Sequence, residues 1–234
     1  MRLFDEIKDH EHDKKNYPDR PVSRGLLSLR EIEILAWVSV AIGVILNLLL
    51  NSTIGCAAYI AVLGYHLLTY REFFVKKWIK QHFFLYNILH LLQLCLLQLY
   101  IYVTLAPVDQ DVAALHLALI VTIVVLMEFA RKMRPADNDA ANDTYSAKFG
   151  QRTAARIYSF ILFVGFLFTA LILFVFQSSL LLLLPLLMIT VFGFWFSSRY
   201  AKVKNTRNSE MVLLFALLFY IGSNVTIISG GLNA

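Results

Sequence analysis

Seven runs of mainly apolar residues dominate this chain, at roughly 31–50, 54–70, 83–106, 112–130, 157–176, 179–198 and 211–229. Each approaches the ~20 residues that an α-helix needs to cross a hydrocarbon core of ~30 Å. Within them Leu, Ile, Val and Phe run on continuously, where the strands of a membrane barrel would alternate. Only 16% of the 234 residues are charged, against about 25% in a soluble domain. The pattern predicts an all-α fold, a polytopic transmembrane helix bundle of seven spans forming a single domain over 1–234. It excludes a soluble globular enzyme, a disordered chain and a disulfide scaffold. Cys56 and Cys95 both lie inside apolar runs and read as small buried hydrophobes. The N-terminus is charged from Arg2 onward, which does not fit a cleavable signal peptide.

The charges divide the connections into two kinds. Stretches 1–30, 71–82, 131–156 and 199–210 hold seven, four, six and four of the Lys and Arg residues, which accounts for all 21. The short turns Asn51-Ser52-Thr53, Ala106 to Asp111 and Gln177-Ser178 hold none. Alternate loops share a membrane side, so the positive-inside rule places the four basic stretches and the N-terminus in the cytoplasm. The net charge of +5 is thus a signature of topology, and no basic stripe suited to nucleic acid lies outside these loops.

Most acids lie on that same side. Asp5, Asp9 and Asp13 recur every four residues and on a helix share one face. Neighbouring carboxylates there can share one divalent cation, and Mg²⁺ typically takes one or two carboxylates with waters and phosphate oxygens. The competing reading is a solvated helix neutralised by Lys8, Lys14 and Lys15. A second cluster, from Glu128 through Arg131, Lys132, Asp137 and Asp139 to Asp143, again mixes acids with cations. Metal-holding acids beside cations that pair with phosphate oxygens describe a diphosphate site at a membrane surface.

The stretch Asp5-Glu6-x-x-Asp9-x-x-x-Asp13, followed by Asp19-Arg20-Pro21-Val22-Ser23-Arg24-Gly25, resembles the first motif of the UbiA superfamily of membrane prenyltransferases. That motif reads N-D-x-x-D-x-x-x-D and then R-P-L-P-S-G or a near variant. Asp9 and Asp13 match its later aspartates, while Asp5 and Glu6 stand at its asparagine and first aspartate. Asp137, Thr144 and Gly150 keep the spacing of the second motif, whose first acid is replaced by Met133. Glu128, Asp139 and Asp143 are the available substitutes. Tyr70 to Trp78 lies where the family has a loop capping the active site. Family members usually have nine spans, so the resemblance implies that this chain lacks the first one to two helices.

The resemblance implies Mg²⁺-dependent transfer of a prenyl group from a polyprenyl diphosphate to a lipophilic acceptor held in the bilayer. An aromatic or quinone precursor is the default acceptor, and a bacterial cytoplasmic membrane the default location. On this reading Asp5, Asp9 and Asp13 hold Mg²⁺ in the first motif, and Glu128, Asp137 and Asp139 in the second. Arg20, Arg24, Lys76, Arg131 and Lys132 neutralise the departing oxygens. Polar residues inside spans are costly in hydrocarbon and therefore informative. Tyr86, His90 and Gln93 follow i, i+4, i+7 spacing, while His66, Thr69 and Tyr70 approach the inner end of the second span. Tyr70, Tyr86 and His90 are candidates to line an acceptor pocket; the alternative, favoured for His90 and Gln93, is hydrogen bonding between helices. Two other functions stay open: a non-catalytic prenyl-lipid-binding relative, favoured by the altered acids, and a divalent-cation transporter. No mid-span carboxylate is present to carry an ion across.

Overall fold

The computed structural model describes residues 2–16, 18–50, 52–104, 110–134, 144–203 and 205–232. They form eleven α-helices: α1 (Arg2–Lys8), α2 (His10–Asn16), α3 (Leu29–Leu50), α4 (Thr53–Tyr70), α5 (Lys76–Gln81), α6 (Phe83–Thr104), α7 (Gln110–Arg131), α8 (Tyr145–Phe149), α9 (Gln151–Val175), α10 (Leu184–Lys202) and α11 (Thr206–Leu232). Two 3₁₀ turns, Glu72–Phe74 and Leu180–Leu183, lie between them, and no strand occurs among the described residues. Seven of the helices are long and apolar enough to span a membrane. Hydrocarbon offers no hydrogen bonds, so each span must satisfy its backbone internally, which a helix does. Leu48, Leu49 and Leu50 are 65–77% exposed, as side chains facing lipid should be. Neither Cys56 nor Cys95 forms a disulfide.

Local chemistry sets several helix ends. Ser28 and Glu31 form a reciprocal capping box, with Ser28 N donating to Glu31 Oε2 at 2.8 Å and Glu31 N to Ser28 Oγ at 3.2 Å. This starts α3 at Leu29 by satisfying donors that an open helix end leaves unpaired. Ser52 caps α4 in the same sense, accepting from Gly55 N at 3.2 Å. The last three spans run past their apolar runs: α9 begins at Gln151, α10 ends at Lys202 and α11 begins at Thr206. Hydropathy marks where hydrocarbon ends, whereas a helix continues for as long as its backbone bonds are made.

The chain divides into two compact units, Met1–Pro107 and Val108–Ala234. In the first, α4 packs between α3 and α6, and α1 lies against α3 and α4. Phe4 on α1 is the anchor, 3% exposed, with Trp37 at 5.4 Å, His66 at 5.2 Å and Tyr70 at 4.9 Å between ring centroids. In the second, α7, α9, α10 and α11 close into a four-helix bundle. Small residues at its contacts let the helices approach closely. A Cβ added at Gly193 would stand 2.7 Å from Leu162 Cδ2, and one at Gly165 2.9 Å from the Phe219 ring. Buried hydroxyls tie the same helices together: Tyr158 donates to Val212 O at 3.0 Å and Ser197 to Ala155 O at 2.9 Å.

Candidate functional site

The first acidic cluster is built on α1 and α2. Asp9 lies between the two helices, yet Asp9 N donates to Asp5 O at 2.9 Å and Asp13 N to Asp9 O at 2.8 Å. Helical hydrogen bonds therefore pass through all three aspartates and hold them on one side of the segment. Their surroundings differ. Asp5 is 38% exposed and pairs with Lys8 at 3.6 Å. Asp13 is 4% exposed, accepts from Arg20 Nη1, and has His12 Nδ1 at 3.5 Å. Arg20 follows α2 in the turn-rich stretch before α3, so Asp13 fixes that guanidinium beside the acidic helix. Arg24 and Lys76 are exposed.

Lys8 has a larger part than a neutralising neighbour. Its side chain is 5% exposed, donates to Tyr86 Oη at 3.4 Å and lies 5.8 Å from the centroid of that ring. Tyr86 in turn packs on His90 of the same helix, at 4.4 Å between centroids. The i+3 spacing from Asp5 was the only signal of this in the sequence. Tyr70 ends α4 half-buried, against Phe4 on one side and 5.6 Å from the Arg71 guanidinium. Thus α1 touches both groups of the expected acceptor residues, Tyr70 through Phe4, and Tyr86 with His90 through Lys8.

Deeper in the same unit lies a polar cluster of His66, Thr69 and Gln93, which are 7%, 2% and 2% exposed. The Gln93 amide is 2.5 Å from His66 Nδ1 and 3.2 Å from Thr69 Oγ1. Gln93 therefore makes the bonds between helices that its position in a span calls for. The other ring nitrogen, His66 Nε2, is buried without a hydrogen-bond partner, a condition that costs about 1–3 kcal/mol.

In the second unit, Glu128 near the end of α7 is held by Arg131 at 2.9 and 2.8 Å and by Lys132 at 3.0 Å. Tyr145 on α8 stacks on Phe129, with centroids 4.1 Å apart and planes within 8°. Burial, helped by the Glu128 carboxylate and opposed by Arg131, pushes the Tyr145 hydroxyl pKa up to about 12. Ser146 and Tyr200 hydroxyls are 2.5 Å apart, and Tyr200 donates to Arg134 O at 3.1 Å. Met133, at the place of the second motif's first acid, is 1% exposed and serves as core. Beside it an open cavity of about 300 Å³ is lined by Arg131, Arg134, Thr206, Ser209 and Glu210 among others. Arg134, Thr206 and Ser209 were not singled out from the sequence, because they meet only when α7 and α11 pack. Asp137, Asp139 and Asp143 lie outside the described residues.

Among the described residues no three His, Cys, Asp or Glu side chains converge as a metal cage. Mg²⁺ does not require one, since waters and substrate phosphate complete its octahedron around one or two carboxylates. Asp5 and Asp9 fit that demand: hard oxygen donors one helical turn apart, with Asp5 partly open to solvent. Asp5, Asp13 and Glu128 each carry a cationic partner, so an ion at Asp5 would take the place of Lys8 there.

Residues 1–221 match the UbiA prenyltransferase family. A solved structure from a study of digeranylgeranylglyceryl phosphate synthase in membranes superposes with a TM-score of 0.63 at 14% identity, over 99% of this chain and 80% of that one. At that identity the likeness is one of fold. No curated protein matches the chain. The family match spans both acidic clusters and six of the seven spans entirely, and on that match the chain belongs to the UbiA prenyltransferase family.

Proposed function

We propose that the chain transfers a prenyl group from a polyprenyl diphosphate to a lipophilic acceptor held in the bilayer, with Mg²⁺ bound through Asp5 and Asp9. The supporting observation is the helical segment that carries Asp5, Asp9 and Asp13 in register, flanked by the buried Lys8 and by Arg20, inside the family match. Asp5 and Asp9 would hold Mg²⁺, which when bound would supply a Lewis acid for the charge of the leaving diphosphate. Arg20 offers a guanidinium suited to bidentate phosphate contact, and Asp13 orients it. Lys8 sits where an ammonium is desolvated, so its attraction for phosphate oxygens is stronger than in water. Arg131 and Arg134 line the cavity of the second unit and supply the same chemistry there. Aromatic faces such as Tyr86 and Tyr70 suit the positive charge that develops on the allylic carbon.

An aromatic or quinone precursor is the default acceptor, and the distribution of Lys and Arg supports basic connections that face the cytoplasm. Purified protein in detergent, given farnesyl or geranylgeranyl diphosphate and membrane extract as an acceptor source, should release diphosphate only when Mg²⁺ is present. Absence of release with either donor would move the chain to the non-catalytic reading.

A further inference from the structure

The hydrogen bonds of the His66 cluster assign the state of its buried ring. Thr69 has one hydroxyl hydrogen and two acceptors in reach, Gln93 at 3.2 Å and the His66 carbonyl at 2.8 Å, and it goes to the nearer, the carbonyl. Toward Gln93, Thr69 Oγ1 then offers only a lone pair. The Gln93 amide must accordingly present its NH₂ group to Thr69 and its carbonyl oxygen to the His66 ring, an arrangement reached by a half-turn of the amide. A carbonyl facing Nδ1 at 2.5 Å requires the hydrogen to be on Nδ1. His66 Nε2 therefore carries a lone pair, is buried, and meets no donor in the described structure. The Phe4 ring packs against the imidazole at 5.2 Å and 71°, and Asp5 and Lys8 are near enough to act on it electrostatically.

A buried lone pair, fixed in direction by a two-residue relay and lacking a donor, is matched by a ligand that brings an O–H group on an apolar body. We propose that His66 Nε2 takes the hydroxyl hydrogen of the prenyl acceptor, which makes His66 the catalytic base and the residue that selects a hydroxyl-bearing acceptor. Gln93 and Thr69 are positioning residues. The proposal rests on the prenyl-transfer reading above. In the step, the prenyl C1–oxygen bond breaks and its electron pair leaves with the diphosphate. An alcohol forms the new bond to C1 through its oxygen, and the O–H proton passes to Nε2. A phenol attacking through a ring carbon gives up the same proton and becomes a dienone, which returns to the phenol by losing its ring proton. In both cases His66 Nδ1 keeps its hydrogen and donates it to the Gln93 carbonyl oxygen.

The test is nitrogen NMR of the full chain in detergent with ¹⁵N-labelled histidine. The His66 signals are identified by their loss in His66→Phe, with His66→Gln as the second variant should the first not fold. Free protein should show Nδ1 protonated and Nε2 bare. 4-Nonylphenol or 1-dodecanol should shift the Nε2 signal, and the methyl ether of nonylphenol should not; which of the two hydroxyl probes acts distinguishes a phenolic from an alcoholic acceptor. Gln93→Leu should abolish the single tautomer. A protonated Nε2, no shift with either hydroxyl probe, or an equal shift with the ether overturns the proposal. A hydroxyl-specific shift in protein that releases no diphosphate would instead overturn the prenyl-transfer reading and leave the hydroxyl site standing.

Discussion

At the scale of single residues, Asp5, Asp13 and Glu128 are ion-paired rather than bare carboxylates. Asp13 is the clearest case, buried against Arg20. Asp13→Asn should cost about 1–3 kcal/mol, the usual penalty for leaving a partly buried charge without its partner, seen as a lower Tm in detergent. An unchanged Tm would mean that Arg20 finds another partner. Tyr145 makes a pH prediction. Its folded pKa of about 12 lies above the ~10 of an unfolded tyrosine. The native state therefore holds that proton more tightly, and the resulting stability is complete below pH ~10 and lost as pH rises toward ~12. Tyr145→Phe should reduce the alkaline loss of Tm between those values; an identical alkaline profile would contradict it. The sequence showed which residues carry charge, but not these pairings. Arg20 lies seven residues from Asp13 across a change of chain direction, and Gln93 meets His66 only once α4 and α6 have set their rotation.

At the scale of elements, the spans were legible because hydrocarbon demands a run of fixed length, and α3, α4 and α6 begin and end within two residues of their apolar runs. Where a helix continues into polar sequence the signal fades, as in α9, whose first turns carry Arg152 and Arg156. The connection after α4 was legible as a loop, but its left-handed backbone was not. Glu72, Phe73 and Phe74 have φ of 48°, 52° and 62°, a left-handed run that costs L-residues roughly 1–2 kcal/mol each. Phe74 is 77% exposed, so Phe74→Gly sacrifices little packing and should raise Tm by relieving about 1 kcal/mol. A fall in Tm would show that the exposed ring is held by lipid. In the second unit, Gly193→Leu should have the opposite sign. The tight approach to Leu162 leaves no room, and overpacking of this kind costs about 1–3 kcal/mol; a Tm equal to that of the unsubstituted protein would contradict the packing.

At the scale of the whole molecule, seven helices long and apolar enough to span a membrane belong to a chain of the UbiA prenyltransferase family. The orientation is testable apart from catalysis. With Cys56 and Cys95 replaced by Ala, a membrane-impermeant maleimide added to intact cells should label Ser178→Cys and spare Lys77→Cys. The reverse pattern would invert the topology. The central claim is that Asp9 holds the metal that draws off diphosphate. Its most direct test is Mg²⁺-dependent diphosphate release from geranylgeranyl diphosphate by the unsubstituted chain and by Asp9→Ala, both purified in detergent and matched in Tm. The account predicts release by the first and its loss in the second. Full release by Asp9→Ala would contradict it.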